Sequence, residues 1–185
     1  MKTIIENSTY QIEIKNSKFI TELIKIDNSD IKNILKELKI KYPKATHYTY
    51  ALRLEDYQKS SDDGEPGGTA GTPMLNVLEK ENIINILAVT IRYFGGIKLG
   101  AGGLVRAYTK SLTEALNNTK LKELTKGYKV EIHIPYSKQK ELDYVLNNQE
   151  VIKKDYDLDI KYIVLIENLD IINKYDYKIL EETYY

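Results

Sequence analysis

Residues suited to chemistry are concentrated in two glycine-rich segments in the middle of this chain. The first is SSDDGEPGGTAGTP, residues 60–73, in which three carboxylates fall within four residues and four glycines within eight. Clustered carboxylates can bind a hard divalent cation, or one of them can carry a raised pKa and act as an acid or base. The candidate metal ligands are Asp62, Asp63 and Glu65. A solvated surface turn explains the same residues, because Asp-Gly and Pro-Gly are common turn pairs.

A histidine that precedes this segment, His47, completes the candidate catalytic set with Asp63 and Glu65. It lies at the start of a predicted strand that leads toward the acidic loop, and an imidazole that titrates near pH ~6.5 can serve as a general base. A structural role is the simpler explanation of a single histidine on a strand. The other histidine, His133, alternates with isoleucines and is predicted to face solvent, so the two histidines do not predict a metal centre.

The second segment is RYFGGIKLGAGGLVRAY, residues 92–108, in which a strand is predicted to end at Tyr93 and a helix to begin near Gly103. Free N–H groups at a helix start bind phosphate or carboxylate, and Arg106 is expected within the first turn. The spacing is neither that of a P-loop nor that of a dinucleotide-binding loop. Tight packing of the helix on the sheet explains the glycines equally well. The candidate anion-binding or RNA-binding residues are Arg92, Tyr93, Gly95, Gly96, Lys98, Gly100, Gly102, Gly103 and Arg106.

Composition places the chain among ordinary globular proteins. Of its 185 residues, 42% are hydrophobic and 29% are charged, which excludes a disordered or fibrous protein. The 27 basic and 27 acidic residues cancel, which disfavours a polyanion-coating protein but leaves room for a local basic patch. The absence of cysteine excludes disulfide partners and thiolate chemistry. The longest apolar run, residues 83–89, is too short to cross a bilayer, so we expect a soluble, cytoplasmic protein with no membrane partner.

Hydrophobic periodicity and turn chemistry predict the elements that position these segments. The predicted strands in the first part of the chain cover residues 10–15, 18–26, 46–54 and 83–93. The predicted helices there cover residues 31–38, 73–78 and 104–116. A tight turn is predicted at Asn16-Ser17, Ser29 and Thr72 are predicted helix N-caps, and residues 55–71 are predicted to form a long polar loop.

Charge and glycine placement predict two domains, 1–127 and 128–185, that meet at Gly127. The first carries 19 basic and 15 acidic residues, a net charge of +4, and the second carries 8 basic and 12 acidic residues, a net charge of −4. In the second domain, strands and helices are predicted at 128–134, 137–147, 150–155, 161–167, 169–175 and 177–183. This β-α-β-β-α-β order is that of a ferredoxin-like domain, so the predicted fold class is α+β.

The two segments together resemble the paired signature of the YigZ/IMPACT family, and NSKFI (residues 16–20) and HYTYALR (residues 47–53) also fit its pattern. The resemblance covers almost the whole chain. It implies an N-terminal β-α-β domain like those of a small-subunit ribosomal protein and of the translocation elongation factor, followed by a ferredoxin-like domain. The signature positions it implies are His47, Asp62, Asp63, Gly64, Glu65, Gly68, Thr69, Ala70, Gly71, Pro73, Arg92, Tyr93, Phe94, Gly95, Gly96, Lys98, Leu99, Gly100, Gly102, Gly103, Arg106 and Tyr108.

The role that the resemblance implies is translational. Eukaryotic members of the family restrain an amino-acid-starvation kinase and carry an additional RWD domain for that purpose. Because the first motif here begins near Asn16, we expect a bacterial-type member without that domain, to which the kinase-linked role does not extend. Thr49 stands where the family often has cysteine, so a thiol has no role at that position.

These observations leave three hypotheses. The first, which we favour, is a translation-associated binding protein that contacts RNA or the translation apparatus through the two loops. The second is an enzyme or a binder of small anions such as phosphate or nucleotides, with a divalent cation as the candidate cofactor and a site between residues 63–65 and 95–103. The third is that both loops are structural and the surface serves a protein partner. The first two require the two loops to meet in one cleft.

Overall fold

The computed structural model describes residues 1–26 and 31–185, and the predicted N-cap Ser29 lies outside the described residues. The chain divides into two compact units, residues 1–123 and 124–185. Both units combine sheets with helices, so the fold is mixed α+β, as predicted. Among the described residues, we find no helix that is long and apolar enough to cross a membrane.

The first unit is built on a five-stranded antiparallel sheet. The strands of this unit, in chain order, are Lys2–Ile4 (β1), Ser8–Ile14 (β2), Ser17–Lys25 (β3), His47–Arg53 (β4), Gln58–Ser61 (β5), Ile86–Tyr93 (β6) and Leu121–Glu123 (β7). Its helices are Ile31–Lys41 (α1), Gly71–Lys80 (α2) and Ala101–Asn117 (α3). The sheet has the order β2-β3-β6-β4-β5, and β1 pairs separately with β7. Apolar residues of α1 pack on one face of this sheet, and those of α2 and α3 pack on the other.

The alternation of side chains along the central strand β6 determines which of them face the candidate site. Ile86 and Ala88 belong to the core beneath α2 and α3, whereas Leu87 belongs to the core beneath α1. Because successive side chains of a strand point to opposite faces, Arg92 lies on the side of α2 and α3, and Tyr93 lies on the side of α1. A strand covered on both faces is apolar along its length, which explains the continuous hydrophobic run.

Two predicted boundaries in this unit are wrong in detail. The hairpin turn between β2 and β3 is Lys15-Asn16 rather than Asn16-Ser17, and both turn residues have positive φ, 47° and 62°. That geometry matches a two-residue hairpin turn, in which asparagine tolerates the left-handed region. The predicted loop 55–71 contains strand β5, which pairs with β4. No apolar alternation marks that strand, because it lies at the edge of the sheet.

Two helices also begin earlier than predicted. Helix α2 begins at Gly71, so Thr72 is inside the helix and is not its N-cap. Helix α3 begins at Ala101 rather than near Gly103, although glycine is a poor helix former. As a result, Arg106 lies in the second turn of α3 and not in the first. The buried hydroxyl of Ser111 bonds that of Thr21 at 2.8 Å and holds α3 on the sheet.

The second unit is a four-stranded antiparallel sheet with the order β11-β8-β10-β9. Its elements are Lys126–Ile134 (β8), Gln139–Val145 (α4), Glu150–Tyr156 (β9), Ile160–Ile166 (β10) and Asp176–Tyr184 (β11), with 3₁₀ segments at Tyr136–Lys138 and Leu169–Ile172. The helix predicted at residues 169–175 is thus a short 3₁₀ segment. Gly127, the predicted domain boundary, lies within β8. His133 is exposed on that strand, as predicted.

Candidate functional site

A buried ion pair joins the two glycine-rich segments. The guanidinium Nη1 of Arg92 donates a hydrogen bond to Glu65 Oε1 at 2.6 Å, and the hydroxyl of Tyr108 donates to the same oxygen at 2.7 Å. Glu65 is 8% exposed and Arg92 is 5% exposed, so neither charge is available to bulk solvent. The two segments therefore meet in space, as the first two hypotheses require.

Above this ion pair lies a cavity of about 280 Å³ that is open to solvent. Its charged and titratable lining comes from His47, Glu65, Arg92 and Lys98. Phe94 is among the apolar residues of its wall, and the start of α3 closes one side at Gly100 and Ala101. The cavity thus brings residues of both glycine-rich segments and of β4 to one place.

The position of Arg92 argues against direct contact with a phosphate. Its guanidinium carbon lies 5.5 Å from the ring centre of Phe19 and 5.6 Å from that of Phe94, so the group makes a cation–π contact with each ring. Nη2 reaches Ser17 Oγ at 3.4 Å, and Nε has no hydrogen-bond partner among the described residues. Arg92 therefore neutralises a buried carboxylate and contacts the ring of Phe94, and its predicted role in anion or RNA binding stays a prediction.

The hydrogen bonds of His47 define its tautomer. Nδ1 lies 2.8 Å from the carbonyl oxygen of Asp63, which can only accept, so Nδ1 carries the proton. Nε2 faces Glu65 Oε2 at 3.8 Å. In the neutral imidazole this nitrogen has a free lone pair beside the cavity, and its protonation would create a second ion pair with Glu65.

The two aspartates of the first segment hold the loop together. The carboxylate of Asp62 accepts hydrogen bonds from the N–H groups of Gly68, Ala70 and Gly71 at 2.8–2.9 Å, and so caps the start of α2 from outside the helix. Burial acts to raise the pKa of Asp62, but these three hydrogen bonds outweigh it and the pKa is lowered. Asp63 Oδ2 accepts from the N–H of Tyr48 at 2.6 Å.

The predicted carboxylate cluster does not converge on a metal site. Asp62 faces the backbone of its own loop, whereas Glu65 faces a guanidinium. Across residues 1–26 and 31–185, no group of three or more histidine, aspartate or glutamate side chains could hold a metal ion. Adjacent carboxylates on a tight loop point in different directions when each has its own hydrogen-bond donors, which is the case here.

The start of α3 retains the features of an anion site. The helix has no side-chain N-cap among the described residues and no acid in its first turn. The first backbone hydrogen bond at this end runs from Leu104 N–H to the carbonyl of Gly100, so the N–H groups of residues 101–103 stay available. Lys98 is exposed beside them, and Phe94 is 47% exposed. We refer to Phe94, Lys98 and residues 100–103 as the loop surface.

Two of the candidate residues are explained by packing instead. A Cβ atom on Gly95 would lie 2.0 Å from the carbonyl carbon of Asn16, so glycine is required there for the second segment to approach the hairpin turn. Tyr93 lies on the other side of the sheet and its hydroxyl donates to the carbonyl of Pro43 at 3.2 Å. Gly96, by contrast, has φ of +85° and is exposed in the loop.

Composition and spacing did not reveal the contacts of several residues that shape the site, although the family resemblance includes Tyr108 among its signature positions. Tyr108 is buried, and burial together with its hydrogen bond to Glu65 raises the pKa of its hydroxyl, which therefore stays a donor. Ser17 and Phe19 contact Arg92 from β3. The apolar stripe of α3 could have placed Tyr108 inside, but its partner is 43 residues away and leaves no local signal.

A family model described as the Impact N-terminal domain matches residues 15–116, which include every residue that lines the cavity. The chain belongs to the IMPACT family. IMPACT family member YvyE of Bacillus subtilis (strain 168) is 45% identical over 120 residues, which are 63% of this chain and 55% of that protein. IMPACT family member YigZ of Escherichia coli (strain K12) is 36% identical over 152 residues, which are 78% of this chain and 74% of that protein.

The fold also occurs in a solved structure. A crystal structure described as that of a hypothetical protein matches this IMPACT-family chain with a TM-score of 0.71 and 28% identity, covering 97% of this chain and 95% of that one. The likeness therefore extends beyond residue 116 into the second unit. The chain spans about half the length of the Bacillus subtilis and Haemophilus influenzae relatives, 55% of each, so the activity of those whole proteins enters below as a proposal.

Proposed function

We propose that this IMPACT-family chain is a translation-associated regulatory protein that contacts RNA through the loop surface. The observation that carries the proposal is the arrangement of an exposed aromatic ring, an exposed lysine and free helix N–H groups around one cavity. Family membership supports the link to translation, because the resemblance described above implies a translational role for the family. We also propose that residues 1–127 and 128–185 form two domains and that the second domain is ferredoxin-like.

Each part of the loop surface suits a different part of an RNA strand. Unpaired bases stack on exposed aromatic rings, and Phe94 presents such a ring with its other face held on Arg92. Lys98 and the N–H groups of residues 101–103 suit phosphate oxygens. The net charge of +4 on residues 1–127 favours approach of a polyanion to this part of the chain.

Equilibrium binding of a short, unstructured RNA, followed by fluorescence anisotropy across a salt series, tests the proposal. Lys98→Gln should weaken binding and reduce the slope of log K against log salt by about 0.7, the value for one lost phosphate contact. Phe94→Ala should cost about 1–3 kcal/mol of binding energy with little change of slope. Lys36→Gln removes an exposed charge from α1, which covers the opposite face, and should change neither quantity. An absence of binding by the wild type at low salt would contradict the proposal.

The cavity itself supports a second candidate, an enzyme or a binder of small anions. Its volume of about 280 Å³ and the free Nε2 of His47 beside Glu65 are the specific observations in its favour. A thermal-shift screen with phosphate, nucleotides and divalent cations tests it. A stabilisation that Lys98→Ala abolishes would favour this candidate, and a flat response across the panel would contradict it.

A further inference from the structure

We infer that a second cleft beside the loop surface is a binding site for the phosphodiester backbone of the same RNA strand. The cleft has a volume of about 280 Å³ and is lined by Lys15, Arg106 and Lys110, with Leu99 and Ala107 among its apolar residues. We call it the basic cleft. The inference rests on the proposed function, because it extends the RNA-binding surface and names the ligand group that the cleft takes.

The three cations reach the cleft from two elements. Arg106 and Lys110 are four residues apart on α3, so both side chains lie on the same face of that helix. Lys15 lies in the hairpin turn between β2 and β3. This turn cannot move freely relative to the second glycine segment, because Gly95 packs directly against the backbone of Asn16. The cations are therefore brought together by packing of the fold.

The charge of the basic cleft is uncompensated. Its lining, taken over the residues that the structure describes, contains no aspartate or glutamate. Nor does any of its three cations form an ion pair within 4 Å with a described carboxylate. Three positive side chains around one concave surface repel each other and attract an anion.

The guanidinium of Arg106 adds a second indication of an anionic ligand. A Cβ atom built on Gly102 would lie 3.6 Å from its Nη1, so the guanidinium lies over the first turn of α3. A cation at this end opposes the helix dipole, which favours negative charge at a helix start. The first turn carries no acid among the described residues to offset the repulsion. A bound phosphate would compensate both the dipole and the guanidinium.

The two cavities are neighbours along the surface of the first unit. Leu99 lines both of them, and α3 contributes Ala101 to the first and Gly103 to the second. A strand whose base stacks on Phe94 therefore continues past Leu99 into the basic cleft. A single nucleotide or free phosphate needs only one cavity, so occupation of both is specific to a chain of linked phosphates.

The test compares two variants of the full chain on RNAs of two lengths. The variant K15Q/R106Q/K110Q removes the three cations of the basic cleft and keeps a polar, uncharged side chain at each position. The matched control K25Q/K36Q/K59Q removes three exposed lysines at the far end of β3, on α1 and on β5. We expect the cleft variant to bind a longer unstructured RNA at least about tenfold more weakly at low salt, with a salt slope reduced by about 2. Binding of a dinucleotide should be unchanged, and the control should behave like the wild type.

The outcomes separate the inference from the proposed function. If the longer RNA binds the cleft variant with wild-type affinity and slope, the inference is wrong while the proposed function stands. If no RNA binds the wild type, the proposed function fails and the inference fails with it. If a polyglutamate peptide binds the basic cleft and RNA does not, the ligand is an acidic protein segment and the inference is overturned. A thermal melt like that of the control shows that the cleft variant is folded.

Discussion

Arg92 Nη1 lies 2.6 Å from Glu65 Oε1, and this buried contact between residues 27 positions apart in the sequence joins the two glycine-rich segments. The same carboxylate accepts a hydrogen bond from Tyr108 on α3. Glu65 therefore connects the first glycine segment, the end of the central strand and the helix whose start forms the loop surface. The position of the proposed RNA-binding residues depends on this one carboxylate.

Replacement of Arg92 by methionine should be strongly destabilising. The substitution leaves Glu65 buried without its counter-ion, and breaking a buried pair by removal of one partner typically costs about 3–5 kcal/mol. Urea unfolding of the full chain, followed by a probe in the first unit, measures the loss of free energy of unfolding.

The double variant Arg92→Met, Glu65→Gln gives the internal control for this ion pair. Removal of both charges avoids an unpaired buried charge, so the double variant should be more stable than the sum of the two single losses predicts. Additive losses, or a loss below about 1 kcal/mol for Arg92→Met alone, would show that the pair does not organise the site.

Asp62 should stabilise the protein in a manner that depends on pH. Its pKa is lowered in the folded state, so its contribution is present above the ordinary pKa of about 3.9 and is lost as the pH falls through the lower folded value. Asp62→Ala should cost about 1–2 kcal/mol at neutral pH, since three backbone donors lose their acceptor.

Thermal melts of wild type and Asp62→Ala from neutral to acid pH measure this effect. The difference in Tm should shrink progressively below about pH 4, because Asp62 is protonated first in the unfolded chain and only at lower pH in the folded protein. Asp56→Ala removes an exposed carboxylate from the turn between β4 and β5 and serves as the control. A constant difference in Tm across the whole pH range would rule out the proposed capping role.

Gly95 and Gly67 should respond very differently to alanine. A Cβ atom on Gly95 would lie 2.0 Å from backbone of the hairpin turn, so Gly95→Ala should lower the free energy of unfolding by more than about 2 kcal/mol. A Cβ on Gly67 meets no described atom within 4 Å, so Gly67→Ala should change stability by less than about 0.5 kcal/mol. Denaturant unfolding distinguishes the two, and equal effects would contradict the packing role of Gly95.

His133 in the second unit should titrate above the usual range for histidine. The hydrogen bond between its ring and Glu131 raises its pKa most, and the hydrogen bond with Asp159 raises it further. Together they outweigh the lowering effect of burial. A raised folded pKa stabilises the unit below about pH 6.5, and this stabilisation is lost as the pH rises through the folded value. An NMR titration of the ring protons should give a lower pKa in Asp159→Asn, and an unchanged pKa in that variant would contradict the contact.

Much of the fold could be predicted from local patterns. The continuous apolar run of β6 and the apolar stripe of α3 each reflect burial that the sequence encodes directly. Strand β5 could not be predicted, because QKSS has no apolar alternation and pairs with β4 through its backbone. The start of α3 was also missed, since Gly102 and Gly103 disfavour helix in isolation.

The candidate site was predicted in outline and not in its contacts. The two glycine segments meet, as the first two hypotheses require, and the burial that accompanies their meeting pairs Arg92 with Glu65. No local pattern reveals a partner as distant as Glu65. The basic cleft was missed for the same reason, because Lys15 and Lys110 are separated by most of the first unit in sequence.

An NMR titration of the ¹⁵N-labelled full chain with a short unstructured RNA shows whether the loop surface binds RNA. We expect saturable shifts of the backbone amides of residues 94–104, which include the free N–H groups at the start of α3, and no shifts on α1. Shifts confined to α1 or to residues 124–185, or no shifts at low salt, would contradict RNA binding by the loop surface.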